Sequence, residues 1–321
     1  MKFIIALISI VCVIAPNANC EELLWRDDNS SISAGLALMQ GDTTYQIGGE
    51  VELADNGSGE VRFPISELIF PLDVYIATFN GKFQLNENWK LTLGVKKNIS
   101  TASGKMEDSD WGFLYMQGEP GADPDSLDIY SKSDAKVDLI IAEIGARYYF
   151  SRKTYKHSEV SFFVGGKYIY HNFDFDISNV DEWYPSKPDE PHTQVDGKAL
   201  TYEVTKHIPA VIIGTELLSK QKLSFDAYLG FSPLVTVEDK DNHLLRSKIM
   251  KAECDGDATL LSLSGSYNFR PQWTIDLRFD YISIDTKGHQ KQYQDGDYLG
   301  RIEQKNFSEI MTYGISVSYS F

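Results

Sequence analysis

The sequence predicts an all-β chain, a ten-stranded antiparallel transmembrane β-barrel, and three observations predict it. About ten segments alternate apolar and polar side chains with the two-residue period of a strand. The face opposite the apolar one carries small and charged residues, which a wet lumen accepts more easily than a dry core. The connections alternate between short turns and long polar loops, as in a barrel with two unlike rims.

The N-terminus reads as an export signal over residues 1–20. Met1-Lys2 precede an apolar run from Phe3 to Ala15, then Pro16-Asn17-Ala18-Asn19-Cys20 and the acidic Glu21-Glu22. Cleavage is expected after Ala18 or Cys20, and the apolar run is too short to span a bilayer as a helix. No later stretch approaches the roughly 18 apolar residues that a spanning helix needs. Membrane entry must therefore be by a closed sheet, since only helices and barrels satisfy their backbone in lipid. Residues 21–321 are expected to form one barrel domain.

The first strand sets Ile32, Ala34, Leu36 and Leu38 on one face. Others are expected near residues 65–85, 89–95, 134–150, 158–175, 200–219, 223–231, 261–269, 273–281 and 302–321. The cleanest alternation sets Trp273, Ile275, Leu277, Phe279 and Tyr281 against Thr274, Asp276, Arg278 and Asp280. The last strand sets Tyr313, Ile315, Val317, Tyr319 and Phe321 against Thr312, Gly314, Ser316, Ser318 and Ser320. An aromatic final residue resembles the closing strand of bacterial outer-membrane barrels.

Short turns are expected at residues 86–88, 151–153, 219–221 and 270–272, and long loops near 48–62, 103–128, 172–199, 238–257 and 286–301. With a periplasmic N-terminus the short turns face the periplasm and the long loops face outside, a bacterial outer-membrane location. Trp89, Trp273, Tyr148, Phe150, Phe269 and Tyr319 cluster by the short turns as an interfacial aromatic girdle. Pro185, Pro188 and Pro191 mark an exposed tip of the third outer loop. A water-soluble ten-stranded barrel is the competing architecture.

The formal net charge of −16 disfavours nucleic acid and favours cations or basic peptides as partners. After loss of residues 1–20 only Cys254 remains, so no internal disulfide forms. His171, His192 and His289 read as separate surface histidines. No phosphate loop, Cys-based zinc pattern or Ser/His/Asp arrangement is present, and no cofactor or metal is expected.

Two loop motifs carry the candidate chemistry. The second outer loop holds Asp108 and Asp110, and the fourth holds Asp241 and His243. Residues two apart in an extended chain share a face, so each pair points one way. The loops rise from roughly opposite walls, which lets the pairs face each other across the mouth. A carboxylate beside an imidazole orients the ring and raises its basicity, as a general base near neutral pH requires. Taken alone, such motifs are commonly solvated surface, and a loose divalent-cation site is a further alternative.

The stretch Met106-Glu107-Asp108-Ser109-Asp110-Trp111 resembles the Met-x-Asp-x-Asp-Trp pattern of the omptins, outer-membrane endopeptidases on ten-stranded barrels. Asp241-Asn242-His243 resembles their Asp-x-His pattern, and Ile208-Pro209-Ala210-Val211-Ile212-Ile213-Gly214 is similar to their segment at that place. The resemblance is that of a distant member. It implies attack on a peptide bond by water, with His243 and Asp241 as the base and Asp108 and Asp110 positioning the water. It also implies peptide or protein substrates cut beside basic residues, which Glu107, Asp123, Asp125, Asp174, Asp176, Glu238 and Asp239 would attract.

Outer-membrane lipid, lipopolysaccharide included, is the other implied partner. Three departures stand out. Tyr45 falls near a first-strand glutamate of the family. Gly166-Lys167-Tyr168-Ile169-Tyr170-His171 replaces a Glu-x-Arg lipopolysaccharide pattern. The fourth loop is short after His243. A non-catalytic barrel, as an adhesin or structural protein, and a narrow porin are the rival functions.

Overall fold

The computed structural model describes residues 30–55, 57–102, 104–219 and 222–321; the expected signal at 1–20 lies outside the described residues. Twelve antiparallel strands run in order: β1 (Ser31–Leu53), β2 (Ser58–Pro71), β3 (Val74–Gln84), β4 (Trp89–Asn98), β5 (Lys105–Trp111), β6 (Leu127–Thr154), β7 (Ser158–Trp183), β8 (Thr193–Ser219), β9 (Leu223–His243), β10 (Lys248–Arg270), β11 (Trp273–Gln294) and β12 (Asp297–Ser320). One helical turn, α1 (Phe113–Met116), follows β5, and a 3-10 turn (Leu244–Arg246) follows β9.

The sheet closes on itself through β1 and β12, paired from Ser31↔Ser320 up to Leu53↔Gly300. In the lower half β3 and β4 stand between β1 and β6; in the upper half β2 and β5 take their place. Any cross-section therefore cuts ten strands, as expected, but two of the ten are each broken in two. The breaks fall at residues 72–73 and 99–104. Pro71 has no N–H to continue the ladder, and Gly104 packs so close that a Cβ there would lie 2.7 Å from Pro71 Cβ.

The outward face of the lower half is apolar. Leu36, Phe79, Leu93, Ile144, Val164, Ile213, Leu229, Leu277 and Ile315 are exposed there, the side that lipid solvates. Trp89 packs tilted against Tyr148, with ring centroids 5.2 Å apart, and Trp273 likewise against Tyr319 at 5.1 Å, beside the short turns. The inward face is charged and paired. Glu143 takes Lys96 and Lys167, each at 2.8 Å; Arg147 meets Asp226 at 2.5 Å; Lys90 meets Glu216 at 3.2 Å; Arg278 meets Asp280 at 2.9 Å. Paired charges fill the lumen and offset one another's desolvation.

The expected long loops are mostly strand. The ladder runs past the apolar belt on every wall, so that β7 and β8 part only at residues 184–192, the Pro-rich tip. β11 and β12 part only at Asp295-Gly296, whose positive φ values of 52° and 95° make a tight hairpin turn. Above the lipid both faces of a strand meet water, so the apolar alternation disappears while the hydrogen-bond ladder persists. The turn expected at 151–153 closes instead at Tyr155–Ser158 for the same reason on the other rim. His171 is a further correction. It is buried in the barrel and stacked on Phe173, ring centroids 5.2 Å apart, rather than a surface histidine.

Candidate active site

β9 delivers its inward residues in steps of two, so Asp239, Asp241 and His243 stand one above another on the inner wall. Ser247, at φ 50°, then turns the chain back so that Lys248 pairs with His243 across the β9–β10 hairpin. On the far wall β5 is held between β2 and β6, with Asp108 opposite Leu68 and Asp110 opposite Ser66. Gly112, at φ 64°, diverts the chain immediately afterwards; a Cβ there would meet the Pro124 carbonyl oxygen at 2.6 Å. Asp108 and Asp110 thereby point inward with Met106.

The two motifs border one cavity of about 470 Å3, lined among others by Tyr45, Asp108, Asp110, Glu182, His243 and Arg246. His243 Nε2 lies 3.2 Å from Asp241 Oδ2. The Tyr45 hydroxyl donates to the same Asp241 oxygen from β1. Burial holds the Asp108 carboxyl well above the ordinary carboxylate range, and the neighbouring charges of Asp110 and Asp241 add to that. Burial also raises Asp110, against the opposing hydrogen bond from Ser66. A carboxyl raised in this way holds its proton to higher pH than a free one and, while protonated, donates as well as accepts.

Beneath the cavity lies a buried polar layer that the motifs do not announce. Asp239 accepts from Gln304 Nε2 at 2.5 Å, the Tyr202 hydroxyl at 3.3 Å and Asn306 Nδ2 at 3.4 Å. Lys206, fully buried, donates to Thr43 Oγ1 at 2.8 Å and to Ser308 Oγ. Outward residues at this level are Glu203, Glu238 and Lys240, all exposed, so the layer stands above the lipid. Burial pushes the Asp239 carboxyl up to about 7 and the Lys206 ammonium down to about 7. Their presence is invisible locally, because the partners lie on β1, β8 and β12, far away in sequence.

None of the seven carboxylates expected to attract a basic substrate lines the cleft. Glu107 faces outward to Lys132 and Tyr130, Asp125 pairs with Arg62, and Asp176 pairs with Lys198 on the outer wall. Asp174 and Glu238 also lie exposed on that wall, Asp123 is exposed in a loop, and Asp239 is buried. Glu182 is the further acid at the cavity, accompanied by Arg246 and Lys248. Among the described residues no cluster of three or more His, Cys, Asp or Glu side chains is arranged to hold a metal ion.

The Omptin family description matches residues 63–321. The chain belongs to the omptin family. In architecture this omptin is similar to the outer membrane protease OmpT from Escherichia coli, with a TM-score of 0.70 and 15% identity over 94% of this chain and 99% of that one. The translocator domain of the autotransporter NalP from Neisseria meningitidis has a TM-score of 0.38 at 10% identity, covering 100% of this chain and 95% of its own. OprG from Pseudomonas aeruginosa has a TM-score of 0.37 at 12% identity, covering 91% and 96% respectively. Among curated proteins no sequence matches. Family and barrel together make this omptin a bacterial outer-membrane protein of a protease family.

Proposed function

We propose that the chain is a surface endopeptidase that hydrolyses peptide bonds with an activated water, using His243 and Asp241 as the base and Asp108 and Asp110 to hold the water. The observation that carries this is the shared cavity: motifs about 130 residues apart in sequence border one opening, with His243 3.2 Å from its carboxylate. Nε2–H of His243 donates to Asp241, which leaves Nδ1 as the proton acceptor.

Water loses a proton to Nδ1 as its oxygen bonds to the peptide carbonyl carbon. The imidazolium, stabilised by Asp241, then returns that proton to the departing amine as the C–N bond breaks. Of the two raised carboxyls, one that keeps its proton donates to the water while its ionised neighbour accepts from it. No covalent enzyme intermediate is involved.

The substrates are peptides or proteins carrying basic residues. The net charge of −16 supports this at long range, as steering rather than as a shaped pocket. Residues 1–20 are a removed export signal and 21–321 the mature barrel, with its taller rim outside. Outer-membrane lipid surrounds the apolar belt, and lipopolysaccharide is the lipid that its outer end would meet.

The test is cleavage of Arg- and Lys-containing peptides by detergent-solubilised protein. Asp108→Ala and His243→Ala should each abolish it while the folded barrel keeps its heat-modifiable gel migration. Equal cleavage by folded variants removes the assigned roles.

A further inference from the structure

We propose that Tyr45 is a positioning residue of this site, which holds Asp241 through its phenol and thereby sets the orientation and basicity of His243. The inference rests on the hydrolytic reading only for its kinetic consequence; the linkage itself is structural. Asp241 Oδ2 receives two donors, the Tyr45 hydroxyl and His243 Nε2, whereas Asp241 Oδ1 is buried and has no hydrogen-bond partner among the described residues. One oxygen thus carries the load from both sides.

The Tyr45 ring cannot swing away. It is 1% exposed and packed against Tyr202 at 5.4 Å and Phe70 at 6.2 Å, and those two rings stack on each other at 4.3 Å. With the ring fixed, the hydroxyl has one productive direction, and that direction is Asp241. Burial, followed by the charge of Asp241, keeps the phenol proton in place well above the ordinary phenol range. Tyr45 therefore remains a donor through the neutral range.

The chemical effect has a sign. A phenol bonded to a carboxylate draws negative charge toward itself, so the carboxylate stabilises the imidazolium less. Without the hydroxyl, Asp241 presents a more concentrated charge to His243, and the imidazole holds its proton more tightly. The ring also loses half of the tether that fixes its partner. Other groups around this pair act in parallel. They are Asp108 and Asp110 from β5, Glu182 from β7, Tyr202 from β8, Asp239 from β9 itself, Arg246 from the 3-10 turn and Lys248 from β10. All of them remain in a Tyr45 variant, so the change isolates the phenol.

The experiment follows the His243 ring carbon by NMR through a pH titration of the whole barrel in detergent, with His243→Ala to assign the signal. Tyr45→Phe keeps the ring packing and should raise the His243 midpoint by about half to one pH unit. The acid limb of kcat/KM should move up equally, with kcat down about tenfold and KM within about twofold. In an Asp241→Asn background the same Tyr45→Phe change should leave the midpoint unmoved.

Site-specific 3-fluorotyrosine at position 45, a stronger donor of nearly the same shape, should shift the midpoint the opposite way. It also serves if Tyr45→Phe does not fold. An unchanged midpoint in either variant, or a shift that persists with Asp241→Asn, overturns the proposal. If no peptide is cleaved at all, the hydrolytic reading fails, while the titration still decides the Tyr45–Asp241–His243 linkage.

Discussion

His243 faces Asp241 across 3.2 Å because the two residues lie two positions apart on the inner face of one strand. That spacing makes the proposed base and its carboxylate a property of β9 alone. The second pair has to be carried to them by the barrel. Closure of the sheet places β5 across the opening from β9, and the chemistry at Asp108 depends on that closure.

Asp110→Asn should lower the pH at which Asp108 titrates. Asp110 is, after burial, the largest contributor to the raised Asp108 carboxyl. Removing its charge leaves burial in place, so the midpoint should fall yet stay above the ordinary carboxylate range. Carboxyl infrared absorption reads the midpoint directly. In the proposed mechanism the protonated form donates to the water, so the alkaline limb of the rate profile should move to lower pH with it. A midpoint that rises or stays fixed would show that the two carboxyls do not interact.

Asp239→Asn should flatten the dependence of stability on pH. In the folded state burial pushes Asp239 up to about 7, against about 3.9 for a free aspartate. A buried acid with a raised pKa favours folding while protonated, and that contribution is lost as pH rises from about 4 to about 7. The wild type should therefore lose roughly 4 kcal/mol over that window relative to the variant. Denaturant midpoints of the detergent-solubilised barrel at several pH values test it; parallel curves reject it.

Cleavage of a cationic peptide should slow several-fold as salt rises from about 20 to about 200 mM, because the Debye length shrinks well below the width of the rim. The attraction comes from dispersed carboxylates, many of them on the outer wall, so the loss should appear in kcat/KM and leave kcat nearly constant. A neutral peptide of the same length should show almost none of this. Equal salt sensitivity of the two peptides would exclude steering.

Glu143→Gln should destabilise the barrel by roughly 3–5 kcal/mol, because Lys96 and Lys167 both lean on this carboxylate, each at 2.8 Å. Loss of the slow-unfolding, heat-modifiable form at lower temperature is the measurement. The same filled lumen predicts that the wild-type protein conducts no steady ion current in planar bilayers, and a stable single-channel conductance would contradict it.

The lipid-facing half of the fold was legible because lipid imposes one solvent on one face: Trp273 to Tyr281 and Tyr313 to Phe321 alternate under that demand. Above the belt, water bathes both faces, and segments such as 286–301 carry polar residues throughout. They read as loops although the strand ladder runs through them. The Asp295-Gly296 pair was the usable sign, since both residues tolerate the positive φ of a tight hairpin.

The break at residues 72–73 leaves the alternation intact and so has no mark in the sequence, whereas β5 lies inside the polar stretch 103–128 that reads as a loop. In the site, Asp241 and His243 could be placed on one face from spacing, as could Asp108 and Asp110. Tyr45, Tyr202 and Lys206 could not be joined to them, because their contacts span strands far apart in sequence and obey no period.

The β1–β12 seam has a consequence for assembly. The inner edge that β1 offers is matched by the final segment of the chain, up to the bond from the Phe321 amide to the Ser30 carbonyl. Until that segment arrives, every backbone donor and acceptor along the edge is open to any passing strand. Closure of such a cylinder consequently waits for β12, and whatever escorts the polypeptide must shield the open edge of β1 until β12 docks on it.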